Sequence, residues 1–225
     1  MSRPPPRLPR LPWLSAIGQA RRSAPDSDPT NPAWLIEQFR QYQSVDYALY
    51  IRPWPAAGLL AAHPHDLVTE RLIATALHPL PMAALPRPGE PCAPDAALPT
   101  EPDPYLDVFR ALAHFARLIF VVPSDRSDLA MQLRELVAAG DLWRCIFWMP
   151  AEHSLANVEW PTLWPTFAGA FTSAALQLPP YTPGGWFFRF DPDGRSCSFR
   201  ILTHPSRQKL ASAIESIACE MQPPA

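Results

Sequence analysis

The chain has 225 residues, enough for one full domain with a sizeable core and little beyond it. Hydrophobic residues make up 48% and charged residues 18%, which is the composition of a globular rather than a disordered chain. A formal net charge of −2 provides no basic field, so neither nucleic acid nor an anionic membrane surface is an expected partner.

Proline is abundant at 31 residues against 8 glycines, and Lys209 is the only lysine. The four cysteines (Cys92, Cys145, Cys197, Cys219) are widely spaced and form no CxxC pair, as expected of free thiols in a reducing compartment. His63 and His65 have no Cys or His partner at metal-site spacing, so neither a metal nor another cofactor is expected. No apolar run approaches the roughly 18 residues that span a bilayer. The first 22 residues are basic but broken by prolines, without the continuous apolar segment of a signal peptide. A cytoplasmic protein is the expectation.

Residues 1–30 are rich in Pro and Arg and read as an extended N-terminal arm, leaving 31–225 as a single α/β domain. Asn31-Pro32 suits the start of a helix over 32–43. Asp46 to Trp54 is a short apolar, aromatic run that reads as a buried strand. A helix near 66–77 leads to a second strand in 81–86, and a proline-rich loop follows. Asp103-Pro104 starts a helix over 104–116. The run 117–123 is apolar at every central position, as expected of a strand covered on both faces. The helix at 128–139 presents Leu129, Leu133, Leu136 and Val137 as one stripe, and 144–150 is a further apolar strand. A helix over 157–172 carries Pro161 and Pro165, and Leu176 to Leu178 suggests a short strand. Two β-rich runs around the DPDG turn read as a hairpin, and a last helix spans about 206–221.

Strands alternating with helices predict a small, mostly parallel sheet flanked by helices on both faces, with a C-terminal β-hairpin and a final helix. In such sheets ligands bind beyond the carboxyl ends of the strands. Arg52 follows the first strand and suits a phosphate or carboxylate clamp, with Trp54 nearby to stack; the other reading is a surface salt bridge beside an edge aromatic. Arg87 lies in a Pro-Gly turn after the second strand. Ser124 and Ser127 follow the third, before a helix on which Asp128, Gln132 and Glu135 share a face away from the leucine stripe. That face suits either a ligand or water. No GxGxxG, GxxxxGK[ST] or GxSxG motif is present, which disfavours Rossmann dinucleotide binding, P-loop chemistry and an α/β-hydrolase.

The order of YIRPW (50–54), AALPRPGE (83–90), ARLIFVVPS (116–124), REL (134–136) and CIFWMP (145–150) resembles the TIR-like and nucleoside 2-deoxyribosyltransferase-like domains of flavodoxin type, especially their bacterial forms. The resemblance covers about 45–150 and is loose beyond. It implies that Glu135 is the catalytic carboxylate of an enzyme that cleaves or transfers at the N-glycosidic bond of a nucleotide such as NAD, an oxocarbenium chemistry that a carboxylate stabilises or traps. Arg52 and Arg87 would hold phosphate or ribose and Trp54 would stack. Where the family has a tryptophan before the glutamate this chain has Arg134, and where it has a glycine before Arg-Pro-Gly this chain has Pro86. The alternative is a non-catalytic module that senses a nucleotide, or engages a protein partner or a second copy of itself, on the same fold.

Overall fold

The computed structural model describes residues 47–51, 73, 82–84, 105–124, 127–152, 159–191, 193–201 and 212. The N-terminal arm and the helix expected at 32–43 lie outside these residues. So do all but Ile73 of the helix expected at 66–77 and all but Ser212 of the one at 206–221; both of these residues have helical backbone.

Six strands are described: β1 (Ala48–Ile51), β2 (Met82–Ala84), β3 (Leu118–Val121), β4 (Cys145–Met149), β5 (Trp186–Phe190) and β6 (Ser196–Ile201). They form one sheet in the order β2-β1-β3-β4-β5-β6. β1 pairs parallel with β2 and β3, and β3 parallel with β4; β4–β5 and β5–β6 are antiparallel. The sheet is therefore mixed. The expected hairpin exists, and it extends the parallel core edge to edge rather than standing apart from it.

Continuous apolar runs form these strands because both faces are covered. β1, β3 and β4 are buried at every position. On one face Leu49, Ile51, Ile119, Val121, Phe147 and Phe188 pack under helix α1 (Tyr105–Phe115), helix α2 (Ser127–Ala138) and the helical segment 160–172. On the other, Tyr50, Phe120, Trp148 and Phe187 form an aromatic row. Ring centroids there lie 6.2 Å apart for Tyr50–Phe120, 6.4 Å for Phe120–Trp148 and 5.8 Å for Phe120–Phe187. The connections from β2 to β3 and from β3 to β4 run in one direction across the sheet, so right-handed crossovers place α1 and α2 on the same face. The β1–β2 connection runs the opposite way. Of that connection Ile73 is described, and it is fully buried.

Three local expectations change. The helix expected over 157–172 is split into α3 (Trp160–Leu163), a 3-10 turn (Trp164–Phe167) and α4 (Ala168–Thr172). Pro161 and Pro165 each fall in the first turn of their segment, the place where a missing N–H costs nothing. Leu176 to Leu178 is not a strand. Ala175 adopts φ 58° after the helix, Leu176 N–H donates to the Phe171 carbonyl, and Gln177 N–H donates to Gly194 in the hairpin turn, so no ladder partner is left for them. On α2, Leu129, Leu133 and Leu136 are buried as expected, but Val137 is 36% exposed because it lies at the rim of the stripe.

Candidate functional site

The sheet has a topological switch between β1 and β3, where the chain leaves β1 toward β2 on one side and later returns on the other. Diverging connections open a crevice at the carboxyl ends of such a strand pair. The β1–β3 ladder is prolonged there by Val122 N–H donating to the Ile51 carbonyl at 3.3 Å. Beyond it, Ser124 is only 4% exposed, and its Oγ has no hydrogen-bond partner. A buried hydroxyl is ordinarily satisfied, so an orphan at a strand end is informative. α2 begins three residues later.

Two further polar side chains are buried on α2: Asp128 at 2% and Gln132 at 6% exposure. They are one helical turn apart, so they lie on the same face. Gln132 Nε2 donates to the hydroxyl of Tyr105, the first residue of α1, at 2.6 Å. The start of α1 thus covers this polar face at Gln132, which periodicity within α2 cannot reveal.

The neighbouring strand end is built from β4 and β5. Trp186 opens β5 opposite Met149, the last residue of β4, and its Nε1 is a second buried, unpartnered donor; Trp160 Nε1 is a third among the described residues. Tyr181 donates to the Pro150 carbonyl at 3.1 Å, and burial pushes its phenol up to about 12. Gly185, at φ 64°, closes this end tightly. A β-carbon there would stand 2.5 Å from Ala151 N and 2.8 Å from Met149 O.

Glu135 lies elsewhere. It is eight residues into α2, about 12 Å along the axis from Ser127, on the way back toward the amino ends of the strands. Its carboxylate receives Arg110 Nε at 2.6 Å and Arg110 Nη2 at 2.9 Å, a bidentate pair between α1 and α2, while Arg110 Nη1 donates to Asp107 at 2.9 Å. The Arg110 guanidinium holds the Glu135 carboxyl below its ordinary range. The pair lines a groove of about 690 Å³ between the helices, together with Asp107, His114, Phe115 and Asp141.

Of the site residues expected from sequence, Ser124 lies buried beyond the carboxyl end of β3 and Ser127 opens α2; the Ser127 side chain lies outside the described residues. Arg52, Trp54 and Arg87 also lie outside them, and with these the expected convergence of two arginines on Glu135. The arginine that does meet Glu135 is Arg110. Sequence reasoning gave Tyr105 and Arg110 no role, since their partners lie 27 and 25 residues away in the chain. Among the described residues no group of three or more His, Cys, Asp and Glu side chains could hold a metal ion, and no helix is long and apolar enough to cross a membrane. Cys145 is a buried free thiol whose burial pushes its ionisation up.

No protein-family model, no curated protein and no solved structure matches this chain. What is established is the class: an α/β domain with a mixed, mostly parallel sheet whose strand order reverses between β1 and β3.

Proposed function

We propose that this chain is a TIR-like module of flavodoxin type that binds a nucleotide at the carboxyl edge of β1 and β3, without using Glu135 as a reacting carboxylate. The strand order β2-β1-β3-β4 supports the flavodoxin-type reading. The observation that carries the binding reading is the buried, unpartnered Ser124 hydroxyl next to the Asp128–Gln132 face. An unmet hydroxyl is a cost to the folded chain that a ligand relieves. The N-glycosidic hydrolase reading asks for a carboxylate at the sugar. Glu135, the carboxylate that the resemblance singles out, is committed to Arg110 and is not free to stand at a sugar.

Ser124→Ala separates binding from stability. It is expected to leave the protein as stable or up to about 1 kcal/mol more stable in urea, since it removes an orphan polar group, while weakening NAD and nucleoside binding roughly five- to tenfold by calorimetry. Incubation of the purified protein with NAD or nucleosides is expected to give no product by chromatography. Turnover that disappears in Glu135→Ala would restore the hydrolase reading, and a protein that binds no nucleotide or nucleoside at all would end the binding one.

A further inference from the structure

We propose that the groove between α1 and α2 is the docking site of this chain's own arginine–proline segment, residues 6–12, whatever ligand the strand ends take. Three features of the groove set the chemistry of what fits it. Its charged lining among the described residues is three carboxylates, Asp107, Glu135 and Asp141, against one guanidinium, Arg110. Arg110 gives one hydrogen bond to Asp107 and two to Glu135, while each carboxylate offers about four acceptor positions. One end is walled by aromatic rings, with His114 set edge-on to Phe115 and the centroids 4.8 Å apart. An acid rim beside an aromatic wall suits a segment that carries guanidinium groups and prolines together.

The sequence holds such a segment, and the chain enters the fold at the groove. Pro6-Arg7-Leu8-Pro9-Arg10-Leu11-Pro12 repeats with period three, the period of polyproline II. Docked in that conformation, Arg7 and Arg10 share one edge, roughly 9 Å apart. The groove follows α1 from Asp107 to Phe115, about 12 Å of helix, so both arginines fit within it. Residues 1–25 contain five arginines and no acid. Tyr47, where the described chain begins, accepts Arg117 N–H on its carbonyl at 2.9 Å and donates its hydroxyl to the Leu112 carbonyl at 2.6 Å. The preceding chain therefore joins the domain beside the last turn of α1, where His114 and Phe115 line the groove. Tethering there gives the segment an effective concentration on the order of a millimolar, which favours the chain's own copy over a second one.

Photo-cross-linking on the full chain tests this, with p-benzoylphenylalanine in place of Leu8 and mass spectrometry of the products. Cross-links to 105–117 or 134–141 of the same chain are expected, and mixing isotope-labelled with unlabelled chains separates them from cross-links between chains. Arg7→Glu together with Arg10→Glu is expected to lower their yield about fivefold or more, as is salt of about 1 M, which screens charges beyond about 3 Å. Asp107→Arg, at a carboxylate 54% exposed, is expected to lower the yield similarly and to restore it when combined with the two arm reversals. A smaller fall in these variants, or no recovery in the combination, would overturn the proposal. So would cross-links that map elsewhere in the chain, that form chiefly between chains, or that do not form at all.

Discussion

Glu135 and Arg110 form two hydrogen bonds across a groove that the helices leave open to water, with side chains 28% and 50% exposed. Such pairs contribute little: about 0.3–1 kcal/mol in a double-mutant cycle over Arg110→Ala and Glu135→Ala, falling as salt is raised. The sign with pH follows from the cause. Arg110 depresses the carboxyl in the folded chain below its ordinary value of 4.5, so the contribution is fully present above that value and is lost as pH falls through the lowered one. Urea unfolding of the parent and of Glu135→Gln is therefore expected to differ at pH 7 and to converge in acid below pH ~4. A gap that widens in acid would contradict the assignment of the pair. The two meanings of Glu135, a ligand carboxylate or a solvated helix face, could not be separated within α2, because the deciding partner comes from α1. The position of Ser124 close behind a strand buried on both faces was legible, but its burial without a partner was not.

At the scale of elements, Arg144 joins the end of α1 to its own 3-10 turn (Asp141–Arg144). It is 7% exposed, and its Nη1 donates to the His114 carbonyl at 3.0 Å and to the Ala116 carbonyl, while Nη2 meets Asp141 at 2.6 Å. It satisfies carbonyls at the end of α1 that have no helical partner and ties the 3-10 turn before β4 to them. Arg144→Met is expected to lower stability by roughly 2–4 kcal/mol in urea unfolding, because it strands the Asp141 carboxylate and the carbonyls together. A loss below about 0.5 kcal/mol, the range of ordinary surface changes, would show the tie to be ornamental. Element existence was readable wherever an apolar run had one period: β1, β3, β4, the hairpin and α1 lie within the expected segments, and α2 begins one residue before its own. Leu176 to Leu178 misled because three alternating residues look like a strand, and only the Phe171 and Gly194 carbonyls show that their N–H groups are claimed elsewhere.

For the whole molecule, the sheet sets the order of stability. β1, β3 and β4 each have a strand on both sides, whereas β2 and β6 end the row among the described strands. Hydrogen exchange is expected to be slowest in peptides covering 48–51, 118–121 and 145–149 and faster in 82–84 and 196–201. Equal protection of β2 and β3 would mean that the short edge strand opens only with the whole domain. The parallel core could be anticipated from alternation of strand and helix. The join between β4 and β5 could not, because a hairpin sequence carries no mark of which edge it will extend; Phe147 and Phe188, stacked 5.3 Å apart across that join, find each other only in three dimensions.

The strand order has a consequence for how the chain is made. β1 is the first of the described strands to leave the ribosome, yet it sits inside the sheet, and its longer partner β3 begins at Leu118, some 70 residues after Ala48. At about 5–20 residues per second, roughly 4 to 14 seconds of synthesis separate the two. For that time Ala-Leu-Tyr-Ile (48–51) is a sticky segment without its main mate, held at most by three residues of β2. The nascent chain is thus most vulnerable to mispairing before residue 121 is free, and a pause placed after that point would favour correct closure more than one placed before it.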